Sequence, residues 1–123
     1  MDIWTLLISL FIVQPVLEYW AHRLTHILQL RYHLDHHHNW SHGKFWLYTG
    51  DWYGRVLVGI FVLLGWHIAA LMLAKEEVMH TLAHRYPGFR YLHRHHFLHH
   101  RNPACNFSFS AVWPDRLFGT LEA

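Results

Sequence analysis

The chain opens on a long apolar stretch. From Ile3 to Ala21 only Thr5, Ser9, Gln14 and Glu18 interrupt it. As a helix, a run of that length reaches about 28 Å, close to the thickness of a bilayer's hydrocarbon core. Its flanks fit a retained membrane helix rather than a cleaved leader. No basic segment precedes the run, no small-residue cleavage site closes it, and it leads directly into His22. A polar, histidine-rich segment follows, from His22 to His42. A second apolar run, Val56 to Ala74, carries no formal charge, and its one titratable group, His67, is expected as a satisfied core residue. The last third, Lys75 to Ala123, is polar, aromatic and basic, with turns at Pro87-Gly88 and Asn102-Pro103.

Two histidine-rich regions must meet on one side of a membrane to share a site, and a single crossing between them would separate them. Asp51 and Arg55 sit badly in a full span. Non-helical backbone at membrane depth is tolerated only where protein surrounds it. The pattern therefore predicts a compact helical hairpin between Phe45 and Ala74, bent near Gly65. All ten Lys and Arg residues follow Ala21. The positive-inside rule then puts the N-terminus outside and the region from His22 in the cytoplasm.

Composition strengthens this picture. Hydrophobic residues make up 53% and charged residues 15%, where a soluble domain carries about a quarter charged. Seven Trp and six Tyr suit a membrane interface. Trp46, Tyr48, Trp52 and Tyr53 read as such anchors, or as the lining of a lipid entrance. A formal charge of +2 with no Lys or Arg stripe argues against nucleic acid. The single Cys105 excludes an intrachain disulfide and a cysteine-based zinc ribbon.

The decisive feature is the 15 histidines. They fall into spaced clusters. His22 and His26 form H-x-x-x-H, and His33, His36 and His37 form H-x-x-H-H. The order then repeats with His80 and His84, followed by His96, His99 and His100. On a helix, residues three and four apart share a face. In H-x-x-H-H the adjacent pair diverges by about 100°, so its two rings reach towards different metals. Ten histidines in two matching sets supply five nitrogens for each of two ions. Imidazole suits Fe, Cu, Zn and Ni alike. His38 and His42 are expected as solvent-facing or supporting groups. His93 and His95 compete with His96 for register, and only His96 completes H-x-x-H-H. Glu18, Asp35 and Glu77 are candidate acceptors for imidazole N–H groups, or simply acids near helix ends.

At these residues the sequence resembles the fatty acid hydroxylase (sterol desaturase) superfamily. The matching elements are HRLTH at 22–26, HLDHH at 33–37, HTLAH at 80–84 and HFLHH at 96–100, with Asp115 to Thr120 similar to the family's closing segment. Pro114 separates Trp113 from Asp115, where the family pairs them directly. The resemblance covers about Glu18 to Thr120. It implies an all-α, integral-membrane helical bundle with a cytoplasm-facing, histidine-rich dimetal site. It also implies two Fe ions, which Zn displaces readily during purification, with O2 as co-substrate. A lipid would enter from the bilayer, and electrons would come from a donor such as ferredoxin or cytochrome b5. The reading that follows is hydroxylation of a lipid C–H bond. A desaturase or carotenoid hydroxylase of the same superfamily is the nearest alternative, and a non-enzymatic membrane metal-binding or transport protein is the rival class.

Overall fold

A computed structural model describes residues 2–40, 51–85, 88 and 90–123. Helix α1 runs from Ile3 to Ile27. Helices α2 (Arg31–Trp40), α3 (Asp51–Leu63), α4 (His67–Arg85), α5 (Arg90–Arg101) and the short α6 (Trp113–Leu117) follow. Among the described residues there is no strand. The expected all-α character is therefore what the backbone shows. His42, Trp46 and Tyr48, and the side chains of Asp51, Trp52 and Tyr53, lie outside the described residues.

Helix α1 contains a π-helical turn at Ser9–Val13, where the Gln14 N–H reaches the Ser9 carbonyl five residues back. Pro15 explains it. Proline has no N–H to give and its ring crowds the preceding turn, and a wider turn relieves that crowding. From Gln14 on the helix buries a row at four-residue steps, Gln14, Glu18 and His22, with His26 partly buried below them. Residues four apart share a helix face, so the buried face of α1 carries a polar row, beside which Pro15 and Tyr19 are also buried. Its apolar side chains, including Ile3, Trp4, Ile8, Phe11, Ile12 and Leu17, point outwards. This is the reverse of a water-soluble helix. Among the described residues, α1 is the one helix long and apolar enough to cross a membrane.

Three chain reversals share one physical solution. After α1, Leu30 N–H bonds the Thr25 carbonyl and Gln29 N–H that of His26. After α3, Trp66 N–H bonds Phe61 and Gly65 N–H bonds Val62. After α6, Thr120 N–H bonds Asp115. Each needs a residue with positive φ just past the helix, and Gln29, Gly65 and Gly119 supply it at 50°, 75° and 72°. The first reversal turns α2 back under α1. The second makes α3 and α4 a packed hairpin bent at Gly65, where the apolar pattern puts the bend, with its second arm running on past Ala74 to Arg85. The apolar part of α3, Gly54–Leu63, is a short helix. His67 corrects the expectation of a core histidine: it is exposed, because the reversal places it at the tip of the hairpin.

Helix α5 packs on α4, and α6 packs on α1. Tyr19 of α1 is fully buried and stacks on Phe118, with ring centroids 4.7 Å apart. Its hydroxyl receives a hydrogen bond from Arg23 at 2.8 Å and gives one to the Thr120 hydroxyl oxygen at 3.1 Å. The C-terminal segment is thus fastened to the middle of α1. Between α5 and α6 the chain crosses the molecule as an irregular loop in which Cys105 to Phe109 are all buried.

Candidate metal centre

The histidine nitrogens gather into two groups. His22, His26, His33, His37 and His99 form the first, and His36, His84, His96 and His100 the second. Within each group all the donor atoms lie within 4.8 Å of one another. His80 stands beside the second group, its Nε2 3.1 Å from that of His84. Helix α1 supplies His22 and His26 from successive turns, and α2 and α5 bring their trios from either side. The adjacent pairs split. His36 and His37 fall in different groups, and so do His99 and His100. The second group therefore takes one residue from the first half of the chain, and the first group takes one from the second half.

The contacts inside the groups are not ordinary hydrogen bonds. His22 Nδ1 lies against the Phe107 carbonyl, and His99 Nδ1 lies 2.7 Å from the Cys105 carbonyl. A carbonyl only accepts, so Nδ1 carries the proton in both rings, and in a neutral imidazole Nε2 is then a bare lone pair. Those Nε2 atoms nevertheless face other Nε2 atoms, His22 against His33 at 3.0 Å, and His99 against His26 at 3.0 Å and His37 at 3.1 Å. His33 Nε2 also meets His26 at 2.7 Å and His37 at 3.1 Å. One proton cannot serve three neighbours. In the second group His84 Nε2 faces His36 at 3.2 Å and His96 at 2.8 Å, and His100 faces His96 at 3.0 Å. Two nitrogens bound at right angles to one ion, each about 2.1 Å away, would sit about 3.0 Å apart. The donor set thus fits a cation at the centre of each group, and surplus lone pairs are what a cation satisfies.

Burial tunes the rings for that role. It holds the imidazoles of His33, His84, His96, His99 and His100 below the ordinary histidine range, and the neighbouring histidines lower them further. His37 is pushed down to about 4, by burial first and then by His26 and His80. All these rings are neutral at neutral pH, the form that binds metal. Burial and the nearby Glu122 push the Cys105 thiol up to about 12, so its sulfur is held in the thiol form, a poor nucleophile.

Outside the two groups the structure separates the remaining histidines. His93 donates from Nδ1 to the Ala83 carbonyl at 2.6 Å, tying α5 to α4. His95 is buried and donates to Asp115 at 3.1 Å. His96 is therefore the member of its tract that faces the other rings. His38 is exposed. Of the three acids singled out by sequence, Glu18 does not receive an imidazole N–H. It accepts the backbone N–H groups of Phe109 and Ser110. Asp35 is exposed on α2. The carboxylate of Glu77 lies against Gly54, where a Cβ would overlap it. Sequence reasoning missed Asp115 as an individual residue. Its carboxylate accepts from His95, Phe107 N–H, Ser108 N–H and the Thr120 hydroxyl. Burial alone would raise it, but those four hydrogen bonds hold it below the usual carboxylate range.

A cavity of about 530 Å³ opens against both groups. His22, His33, His36 and His80 form one side. Ala21, Thr25, Tyr32, Gly54, Leu57, Leu73, Glu76, Glu77 and Phe109 form the rest.

No curated protein and no solved structure matches the chain. A family model described as fatty acid hydroxylase matches residues 7–120, a span that takes in all ten clustered histidines, the loop beneath them and the C-terminal fastening. On that match the chain belongs to the fatty acid hydroxylase family.

Proposed function

We propose that the chain is an O2-dependent di-iron oxygenase that hydroxylates a lipid C–H bond. The observation that carries this reading is the pair of imidazole groups opening together onto one largely apolar cavity. Bound there, a pair of iron ions supplies O2 activation and oxidation of an unactivated C–H bond. The protein's part is to place the carbon and exclude water. Leu57, Leu73, Ala21 and Phe109 offer a hydrocarbon chain apolar contacts, and Thr25, Tyr32, Glu76 and Glu77 offer polar ones. The exposed apolar face of α1 suits lipid, so the reading includes integral membrane placement with the histidine groups at the cytoplasmic side. An external donor of the ferredoxin or cytochrome b5 type supplies two electrons, and water is the second product.

The test is anaerobic iron loading followed by turnover under labelled O2 with extracted membrane lipids. Two irons per chain and a lipid carrying one labelled oxygen are expected. A product that has lost two hydrogens and carries no label identifies a desaturase instead. Metal binding without any lipid product favours the non-enzymatic reading.

A further inference from the structure

The loop from Phe107 to Ser110 presents four consecutive backbone N–H groups, and two buried carboxylates take all four. Asp115 accepts from Phe107 at 2.8 Å and Ser108 at 2.9 Å. Glu18 accepts from Phe109 at 2.6 Å and Ser110 at 2.9 Å, both on the same oxygen. Both side chains are almost wholly buried, at 2% exposure for Glu18 and 0% for Asp115. Buried N–H groups need acceptors, and ionised acceptors make the stronger bonds. The same loop carries the carbonyl of Phe107, which receives the Nδ1 proton of His22. Glu18 and His22 are four apart on α1, so one helix face grips the loop at two points one turn apart.

We propose that Glu18 and Asp115 are positioning residues for His22. They fix the loop so that the Phe107 carbonyl holds the Nδ1–H tautomer and aims the Nε2 lone pair into the first group. Only the use made of that lone pair rests on the metal-binding reading above. His99 is an internal reference. Its Nδ1 proton goes to the Cys105 carbonyl, and the adjoining Asn106 stitches that part of the loop to the C-terminal segment by bonds to Thr120 and Glu122. Loosening the Glu18 grip should therefore release His22 and spare His99.

The experiment is a long-range ¹H–¹⁵N spectrum of the metal-free, ¹⁵N-histidine-labelled chain in detergent micelles, which reports each ring's tautomer. In the native chain both His22 and His99 are expected as Nδ1–H. Glu18→Gln keeps a carbonyl oxygen for both loop N–H groups and should leave His22 unchanged. Glu18→Ala and Asp115→Ala should each turn His22 into a tautomer mixture, and in Glu18→Ala His99 should keep its Nδ1 proton. Asp115 also holds Thr120, which anchors Asn106, so His99 is the reference for Glu18→Ala alone. The proposal is overturned by Nε2–H on His22 in the native chain, or by an unchanged His22 in both alanine variants. It is equally overturned if His22 and His99 are released together in Glu18→Ala, since that is general loosening. A parallel zinc titration should show binding to the first group weakened about 10- to 100-fold in Glu18→Ala. A native chain that binds no zinc but shows the expected tautomers would sink the metal reading and leave the positioning role standing.

Discussion

His36 and His37 are neighbours in the chain, yet their rings stand nearly perpendicular, at 89°, and their nitrogens belong to different groups. One helical step of about 100° is enough to send adjacent side chains into different groups. This makes the two groups separable by mutation. His37→Ala and His99→Ala should each deplete the first group, and His36→Ala and His100→Ala the second. Elemental analysis after iron or zinc loading should fall from two ions to one in each case. Loss of both ions in all four variants would show that the groups do not act as separate sites.

The tract His93 to His96 divides by role. His96→Ala should lose the metal of the second group. His93→Ala should keep both metals, since its ring bonds a carbonyl of α4 and faces neither group. His95→Ala removes one of four hydrogen bonds on a buried carboxylate, so it should cost about 1–3 kcal/mol of stability. The sequence gives His95 no partner, because Asp115 becomes one only when the chain beyond α5 folds back to it. Denaturation midpoints beside metal content separate the two effects. Equal metal loss in His93→Ala and His96→Ala would refute the assignment.

Gly54 and Gly59 lie on the same helix and should respond oppositely to alanine. A Cβ at Gly54 would overlap the Glu77 carboxylate, whereas one at Gly59 meets nothing within 4 Å. Gly59→Ala should therefore stabilise by about 0.5–1 kcal/mol through helix propensity. Gly54→Ala should push Glu77 towards the cavity, weaken binding of a hydrocarbon probe and slow lipid oxidation. Similar behaviour of the two variants in probe binding would show that the Gly54–Glu77 contact does not shape the cavity.

The metal-free fold should weaken in mild acid. The buried rings are harder to protonate than an ordinary histidine near 6.5, His37 having fallen to about 4. An unfolded chain takes up protons that the native rings refuse, so stability is full above about 6.5 and falls as pH drops towards 4. For His37 the loss levels off below its folded value. Thermal unfolding of the apo protein in detergent, followed from pH about 8 to about 5, should show a falling midpoint. A flat profile would mean that the rings are not buried as described.

The sequence by itself determined which histidines share a helix face and why adjacent ones part, because both follow from the 3.6-residue turn. It also determined the length of the apolar run in α1 and the hairpin bend near Gly65, because a run of apolar residues and a glycine that tolerates positive φ are local properties. Only the tertiary structure decided the membership of each group, in which His99 joins the rings of the first half and His36 those of the second. Spacing within a helix says which way a ring points and leaves open which helix it meets. The grip of Glu18 and Asp115 on the loop was equally beyond local reading. Glu18 reaches partners 91 and 92 residues away, and His22 one 85 away. Their acceptors and donors are mostly backbone atoms, which every residue carries and no side-chain pattern marks. What orients the clustered rings is therefore set by where the folded chain places its peptide groups.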